Sequence, residues 1–221
     1  MSTLISPPSL QQELAATAQH LASVLPAEAS HNIDAGIAAV QAAGLVRHSR
    51  RAGQVAPDFT LPDAAGQPVN LVALLGSGPV VLVFYRGNWC PYCSVQLRAY
   101  EQALPQFEAY GATLVAISPQ TPDLTKLTAE EKNLHFTVLS DADNTVARQY
   151  GLAYHVGDAV YQTLHGVGID LAAHNGTDTG ELPLTGTFVI APDGVIAWAE
   201  TTANFKERPD PALVLAALAK L

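Results

Sequence analysis

The chain is predicted to fold as α/β, with a central mixed sheet flanked by helices and an N-terminal helical extension. Three observations lead there. From residue 53 onward, apolar runs of strand length alternate with stretches whose apolar residues recur at helical spacing. The last two strand-length runs are joined by Asp193-Gly194, a hairpin signal that sets antiparallel neighbours in the sheet. Ahead of residue 53 only helical spacing is found.

In residues 9–47, Leu10, Leu14, Ala18, Leu21 and Leu25 share one helical face, and Pro26 stops the run. Ile33, Ile37 and Val40 mark a second helix that runs out near Gly44. These Ala-rich faces must cover the main domain or meet a second copy in a homodimer. A basic joint from Arg47 to Gly53 divides an extension, residues 1–52, from a main domain, residues 53–221. Strands are predicted at Phe59–Leu61, Val80–Tyr85, Thr113–Ile117, Phe136–Leu139, Phe188–Ile190 and Val195–Trp198. Helices are predicted near 93–110, 122–132, 143–150 and 209–220. Residues 155–183, rich in Gly, Asp and Asn, read as a long insertion before the penultimate strand.

Composition narrows the function classes. At 221 residues the chain can bury a full core, and 48% hydrophobic against 14% charged residues describes an ordinary globule. Lys plus Arg number 11 against 20 Asp plus Glu, a net charge of −9 with no basic run, which argues against nucleic acid and anionic membrane as partners. The N-terminus lacks a basic region followed by an apolar stretch, so no secretory signal is read there. Gly76, Gly78 and Pro79 break the longest apolar stretches well short of a membrane span. A cytoplasmic, reducing compartment is expected.

Both cysteines sit in Trp89-Cys90-Pro91-Tyr92-Cys93, directly after the apolar run that ends at Tyr85. Leu97, Tyr100, Leu104 and Phe107 continue at helical spacing, and Pro91 suits a first helical turn, where its missing N–H costs nothing. Both sulfurs then face unpaired N–H groups and the positive end of the helix dipole, which favours thiolate over thiol. In a reducing compartment such a pair cycles rather than persisting as a staple. Pro105 should kink or end the helix, because it removes the bond to the Glu101 carbonyl.

Other uses of the pair fit less well. A structural zinc site takes four ligands, and His155, His165 and His174 follow no metal-ligand spacing, so no metal is implied. A permanent disulfide over so short a loop removes little entropy from the unfolded chain. Asp123, Glu130 and Glu131 read as a solvated helix face, and Gly76-Ser77-Gly78 lacks the Lys of a phosphate loop. Trp89 and Tyr92 flank the sulfurs, either as a surface for a partner or hydroperoxide, or as packing.

Further motifs carry a resemblance. Ala56-Pro57-Asp58-Phe59-Thr60-Leu61, Val81-Leu82-Val83-Phe84-Tyr85, Val115-Ala116-Ile117-Ser118-Pro119, Leu139-Ser140-Asp141, Val146-Ala147-Arg148-Gln149-Tyr150-Gly151 and Thr187-Phe188-Val189-Ile190 with Pro192-Asp193-Gly194 line up in order. Over roughly residues 53 to 200 the chain resembles a peroxiredoxin of the alkyl hydroperoxide reductase/thiol-specific antioxidant superfamily, on a thioredoxin-like fold. It is most similar to a subgroup with Tyr-Arg-Gly-x-Trp-Cys-Pro-x-Cys and an insertion seen here as Gly168-Ile169-Asp170-Leu171 with Asn175-Gly176.

Aligned without gaps from Phe84-Tyr85, the resemblance sets Cys93 on the peroxidatic cysteine and Cys90 where the family has a peroxide-holding Thr. The family's Arg, two residues before the Thr-Phe pair, is replaced by Thr185; Arg86 and Arg98 are the candidate substitutes. The resemblance implies an antioxidant thiol-dependent peroxidase without metal, haem or flavin. Cys93 would be oxidised by peroxide, Cys90 would close a redox-active disulfide, and thioredoxin, glutathione or a similar thiol would reduce it. A thioredoxin or glutaredoxin template instead makes Cys90 the nucleophile of a general thiol–disulfide oxidoreductase, although Thr185 or Gly186 stands where that template has a cis-proline. A redox-sensing binding protein is the third reading.

Overall fold

The computed structural model describes residues 9–221, so the first eight residues, including the segment read as lacking a secretory signal, lie outside the described residues. Two helices come first, α1 (Leu10–Val24) and α2 (Ala27–Ala42). Ser9 caps α1 in a reciprocal pair of bonds with Gln12. The turn at Gly44 takes a left-handed φ of 62°, which ends the second helical run where glycine allows it.

A small antiparallel hairpin follows, β1 (Thr60–Pro62) with β2 (Pro68–Asn70), then the short helix α3 (Leu71–Leu75). The strand read at Phe59–Leu61 is thus shifted by a residue and lies outside the main sheet, and its partner and α3 had no prediction. Next come β3 (Val80–Phe84), α4 (Pro91–Ala109), β4 (Thr113–Ser118), α5 (Pro122–Glu131), β5 (Thr137–Ser140) and α6 (Thr145–Gln149). The predicted elements appear here with ends moved by a residue or two. Helix α4 runs through Pro105 to Ala109, so that proline does not end it.

The segment read as one insertion is folded. Strand β6 (Ala153–His155) leads into it, and it contains α7 (Asp158–Gly166), α8 (Leu171–Asn175) and β7 (Glu181–Pro183), with β6 and β7 paired. Val156, Leu164, Leu171 and Leu182 form its own small apolar cluster. Finally β8 (Thr185–Ile190), β9 (Ile196–Thr202) and α9 (Pro211–Leu218) close the chain, the hairpin turning at Gly194 as Asp193-Gly194 predicts.

The main sheet has the order β5-β4-β3-β8-β9, parallel from β5 to β3 and antiparallel from β3 to β9. Strand β3 is central and wholly buried, which is why its sequence is continuously apolar rather than alternating. Val81, Val83 and Tyr85 face the layer of α4 and α9, whereas Val80, Leu82 and Phe84 face the layer of α3 and α6. Leu10 and Leu14 of α1 join the first layer, so this apolar face is covered by the chain's own α4 and α9 side. Helix α2 lies against α7, and a Cβ on Gly36 would come 2.4 Å from Val160 Cγ2. Glycine sets that close approach. Among the described residues no helix is long and apolar enough to cross a membrane.

Candidate active site

Strand β3 delivers the chain into the loop 85–89, and Cys90 is the N-cap of α4 with Pro91 as its first helical residue. Both sulfurs therefore lie in the first turn, as the spacing predicts, and both are free thiols. Neither is exposed. Cys90 retains 1% and Cys93 0% of its surface, so Cys90 is not the solvent-facing end that a thioredoxin template implies.

The loop before the pair is held from outside. Gln120, beyond β4, accepts from the Asn88 N–H at 2.8 Å and donates its amide to Asn88 Oδ1 at 3.1 Å. Gly87 has φ 146°, and a Cβ there would fall 2.4 Å from Trp89 Nε1, so only glycine lets the indole fold back over the loop.

Arg86 is 3% exposed, not solvated. Its guanidinium lies 3.8 Å from the Phe205 ring centre and 4.9 Å from that of Trp89. Tyr92 is buried and meets Phe205 edge-on. Arg98 is elsewhere, half-exposed and paired with Glu13 at 3.5 Å, so it is no substitute for the missing arginine. Thr185 is buried at the start of β8 opposite Thr202, its hydroxyl without a partner among the described residues. Pro91 is exposed at the helix start.

The residue that sequence reasoning missed is Arg208. Its Nη2 donates to Cys93 Sγ at 3.2 Å, and the Arg86 backbone N–H donates to the same sulfur at 3.4 Å. Arg208 lies 115 residues from Cys93, in the loop between β9 and α9, and is 3% exposed. Tyr100 of α4 donates to the Pro209 carbonyl at 3.1 Å, and Gln11 of α1 donates to the Arg208 carbonyl at 2.9 Å. The backbone that carries Arg208 is thus fixed from the core side and from the N-terminal helix. No local motif marks it.

The two thiols ionise unequally. Burial raises the Cys90 thiol, but a hydrogen bond from Cys93 and the charges of Arg86 and Arg208 outweigh this and bring it down to about 5. Burial, then the shared hydrogen bond and the charge on Cys90, push Cys93 well above the usual thiol range. The two arginine charges thus favour a thiolate on Cys90, and Cys93 is the thiol that keeps its proton more strongly.

A family model described as AhpC/TSA matches residues 52–199, more than half of the chain. The chain belongs to the AhpC/TSA family. It is similar to peroxiredoxin Bcp of Escherichia coli K12, 35% identical over 102 residues covering 46% of this chain and 65% of that protein. It is also similar to chloroplastic peroxiredoxin Q of Sedum lineare, 37% identical over 100 residues covering 45% of this chain and 53% of that one. The chain thus spans just over half to about two thirds of the length of these relatives. Among solved structures it is similar to peroxidoxin BcpB of Mycobacterium tuberculosis, with a TM-score of 0.61 and 26% identity over 77% of this chain and 97% of that one. A Xanthomonas campestris peroxiredoxin Q structure, 19% identical with a TM-score of 0.56 over 73% of this chain and 90% of that one, shares the fold. The AhpC/TSA match ends before Arg208 and begins after Gln11, so the guanidinium on Cys93 and one of its anchors come from outside the family segment.

Proposed function

We propose that the protein is a thiol-dependent peroxidase working through a Cys90/Cys93 dithiol–disulfide cycle. The observation that carries this is the buried pair at the start of α4 with Arg208 and the Arg86 N–H on Cys93 Sγ. Those donors hold Cys93 Sγ beside Cys90, and the positive charges of Arg86 and Arg208 favour a thiolate on Cys90.

Register with the family points to Cys93 as the attacking sulfur. Access and charge point to Cys90, because the apolar cavity beside the site is lined by Cys90 and not by Cys93. A nucleophile must be reached, so we assign first attack to Cys90. Its thiolate bonds to one peroxide oxygen as the O–O bond breaks, giving Cys90 sulfenic acid and an alkoxide that takes a proton to become alcohol, or water from hydrogen peroxide. Cys93 then loses its proton, aided by Arg208, and attacks the Cys90 sulfur; the disulfide forms and water leaves. An external dithiol of thioredoxin type restores both thiols while becoming a disulfide itself. A reducing, cytoplasmic setting would supply that donor.

The test has two parts. Reduced protein with a thioredoxin, its reductase and NADPH should oxidise NADPH when peroxide is added; no consumption beyond the protein-free rate would remove the peroxidase reading. Separately, Cys93→Ser should yield a dimedone-trapped sulfenic acid on Cys90, and Cys90→Ser none on Cys93. The reverse pattern would restore the order that the family register implies.

A further inference from the structure

Away from the cysteines, positive charge gathers in one corner of the molecule. Arg47, Arg50 and Arg51 fall within five consecutive residues, although the chain has only 11 Lys plus Arg against 20 Asp plus Glu. Among the described residues none of the three has a carboxylate within ion-pair distance, whereas Arg98, Lys126, Arg148 and Lys206 each have one. Arg148 closes the corner, its own charge matched by Glu181. Glu200 borders it without reaching any of the three. All three arginines precede the matched stretch 52–199.

Backbone groups hold this corner in place. The Arg50 N–H donates to the Tyr150 carbonyl at 3.0 Å, and its Nε donates to the Gln149 carbonyl at 3.2 Å. Arg51 donates from Nη2 to the Arg47 carbonyl at 2.7 Å and from its backbone N–H to Gln54 Oε1 at 2.9 Å. Gly151 has φ 69°, and a Cβ there would fall 2.0 Å from the His48 carbonyl oxygen, so glycine lets this segment lie close on the turn after α6. Each of the two guanidinium groups spends one nitrogen on a carbonyl, and the other nitrogens have no partner among the described residues. Two adjoining depressions share Arg47, Arg50 and Arg51, one reaching Arg148 and Gln149, the other reaching Ala199 and Thr201 of β9. Among the described residues no apolar side chain lines the first.

We propose that this corner is a binding site for a small ligand carrying a diphosphate group. Guanidinium forks pair with phosphoryl oxygens through parallel bonds, and three forks offer more donors than one carboxylate can accept. Two linked phosphoryl groups supply those acceptors, and they set negative charge among cations that otherwise repel one another. A long polyanion fits less well. The net charge of −9 repels any part of a strand that runs beyond the corner. The site needs nothing from the cysteines.

The probe is inorganic pyrophosphate, titrated into the full chain by calorimetry near neutral pH and at low salt, with sodium chloride of equal ionic strength as the blank. Saturable binding is expected. Arg50→Gln combined with Arg51→Gln should weaken it by about tenfold or more, the loss of two charge-assisted bonds. Arg98→Gln combined with Lys126→Gln, an equal loss of charge elsewhere, should leave it unchanged. No saturable heat with the wild type, or equal weakening in both double variants, would overturn the proposal. A second arm needs no substitution: in the wild type the Nε–H NMR signals of Arg50 and Arg51 should shift saturably with pyrophosphate, and shifts confined to other arginines would overturn the site. Citrate and a single-stranded oligonucleotide separate the ligand chemistries. Neither should displace pyrophosphate at equal concentration, and displacement by either would overturn the diphosphate assignment.

Discussion

Arg208 holds the charge balance of the site. A charge-assisted hydrogen bond contributes about 1.5–3 kcal/mol, and this one joins buried residues of α4 and the β9–α9 loop. Arg208→Met keeps the length and apolar packing of the side chain but removes the charge. Following thiolate absorbance at 240 nm in the wild type, one equivalent should appear with a midpoint near 5. In Arg208→Met the midpoint should move up, and peroxide consumption should fall by roughly ten- to a hundredfold, the range set by one such bond. An unmoved midpoint would mean that Arg86 alone supplies the field. The sequence marks the cysteines because two residues of one type at fixed spacing before a helical pattern leave a local trace. It cannot mark Arg208, whose partner is distant in the chain and whose anchors, Gln11 and Tyr100, act through backbone carbonyls of any residue type. Arg86 is intermediate: its place beside the pair is legible, but its burial depends on Phe205, which only the fold brings near.

Helix α1 links packing to the site, since its apolar residues rest on the α4 layer while Gln11 holds the Arg208 carbonyl. Leu14 is 5% exposed, so Leu14→Ala removes a core side chain and should lower stability by about 2–5 kcal/mol in urea unfolding. A loss under about 0.5 kcal/mol would show that α1 is only a loose cover. The strands and helices of the sheet layer were legible because buried strands read as unbroken apolar runs and surface helices as periodic ones. The hairpin of β1 and β2 was not, since strands of three residues carry too little pattern and Pro62 and Pro68 argue against a ladder. The insertion hid its helices for another reason. Helix α8 has five residues and α7 nine, and the glycines at 157, 166, 168 and 176 that bound them read as loop. Pro105 misled in the opposite direction, because α4 continues about one turn beyond it, with Leu104 before and Phe107 after it in the core, and that packing outweighs the lost hydrogen bond.

The charge on the pair also ties its redox state to the stability of the whole chain. In the reduced protein Cys90 is ionised at pH 7 because its thiol lies near 5, against an ordinary value of about 8.5. Its folded-state value is the lower one, so the stabilisation is fully present above the unfolded value and is lost as pH falls through about 5. At pH 7 the thiolate is favoured in the fold but not in the unfolded chain, which stabilises the reduced protein. Oxidation to the disulfide removes the thiolate and leaves Arg86 and Arg208 buried without that counter-charge. The disulfide returns little, because it closes a very short loop. The reduced protein should therefore unfold at higher urea than the oxidised one at pH 7, and the couple should be more oxidising than the same pair with ordinary thiols. The decisive measurement is the pH dependence of that stability gap. Urea midpoints of the two redox forms, taken at pH 7 and again at pH 4, should converge at the lower pH, where the Cys90 thiolate is protonated in the fold as well. A gap of the same size at both pH values, or an oxidised form more stable at pH 7, would show that the buried guanidinium groups do not govern the redox balance.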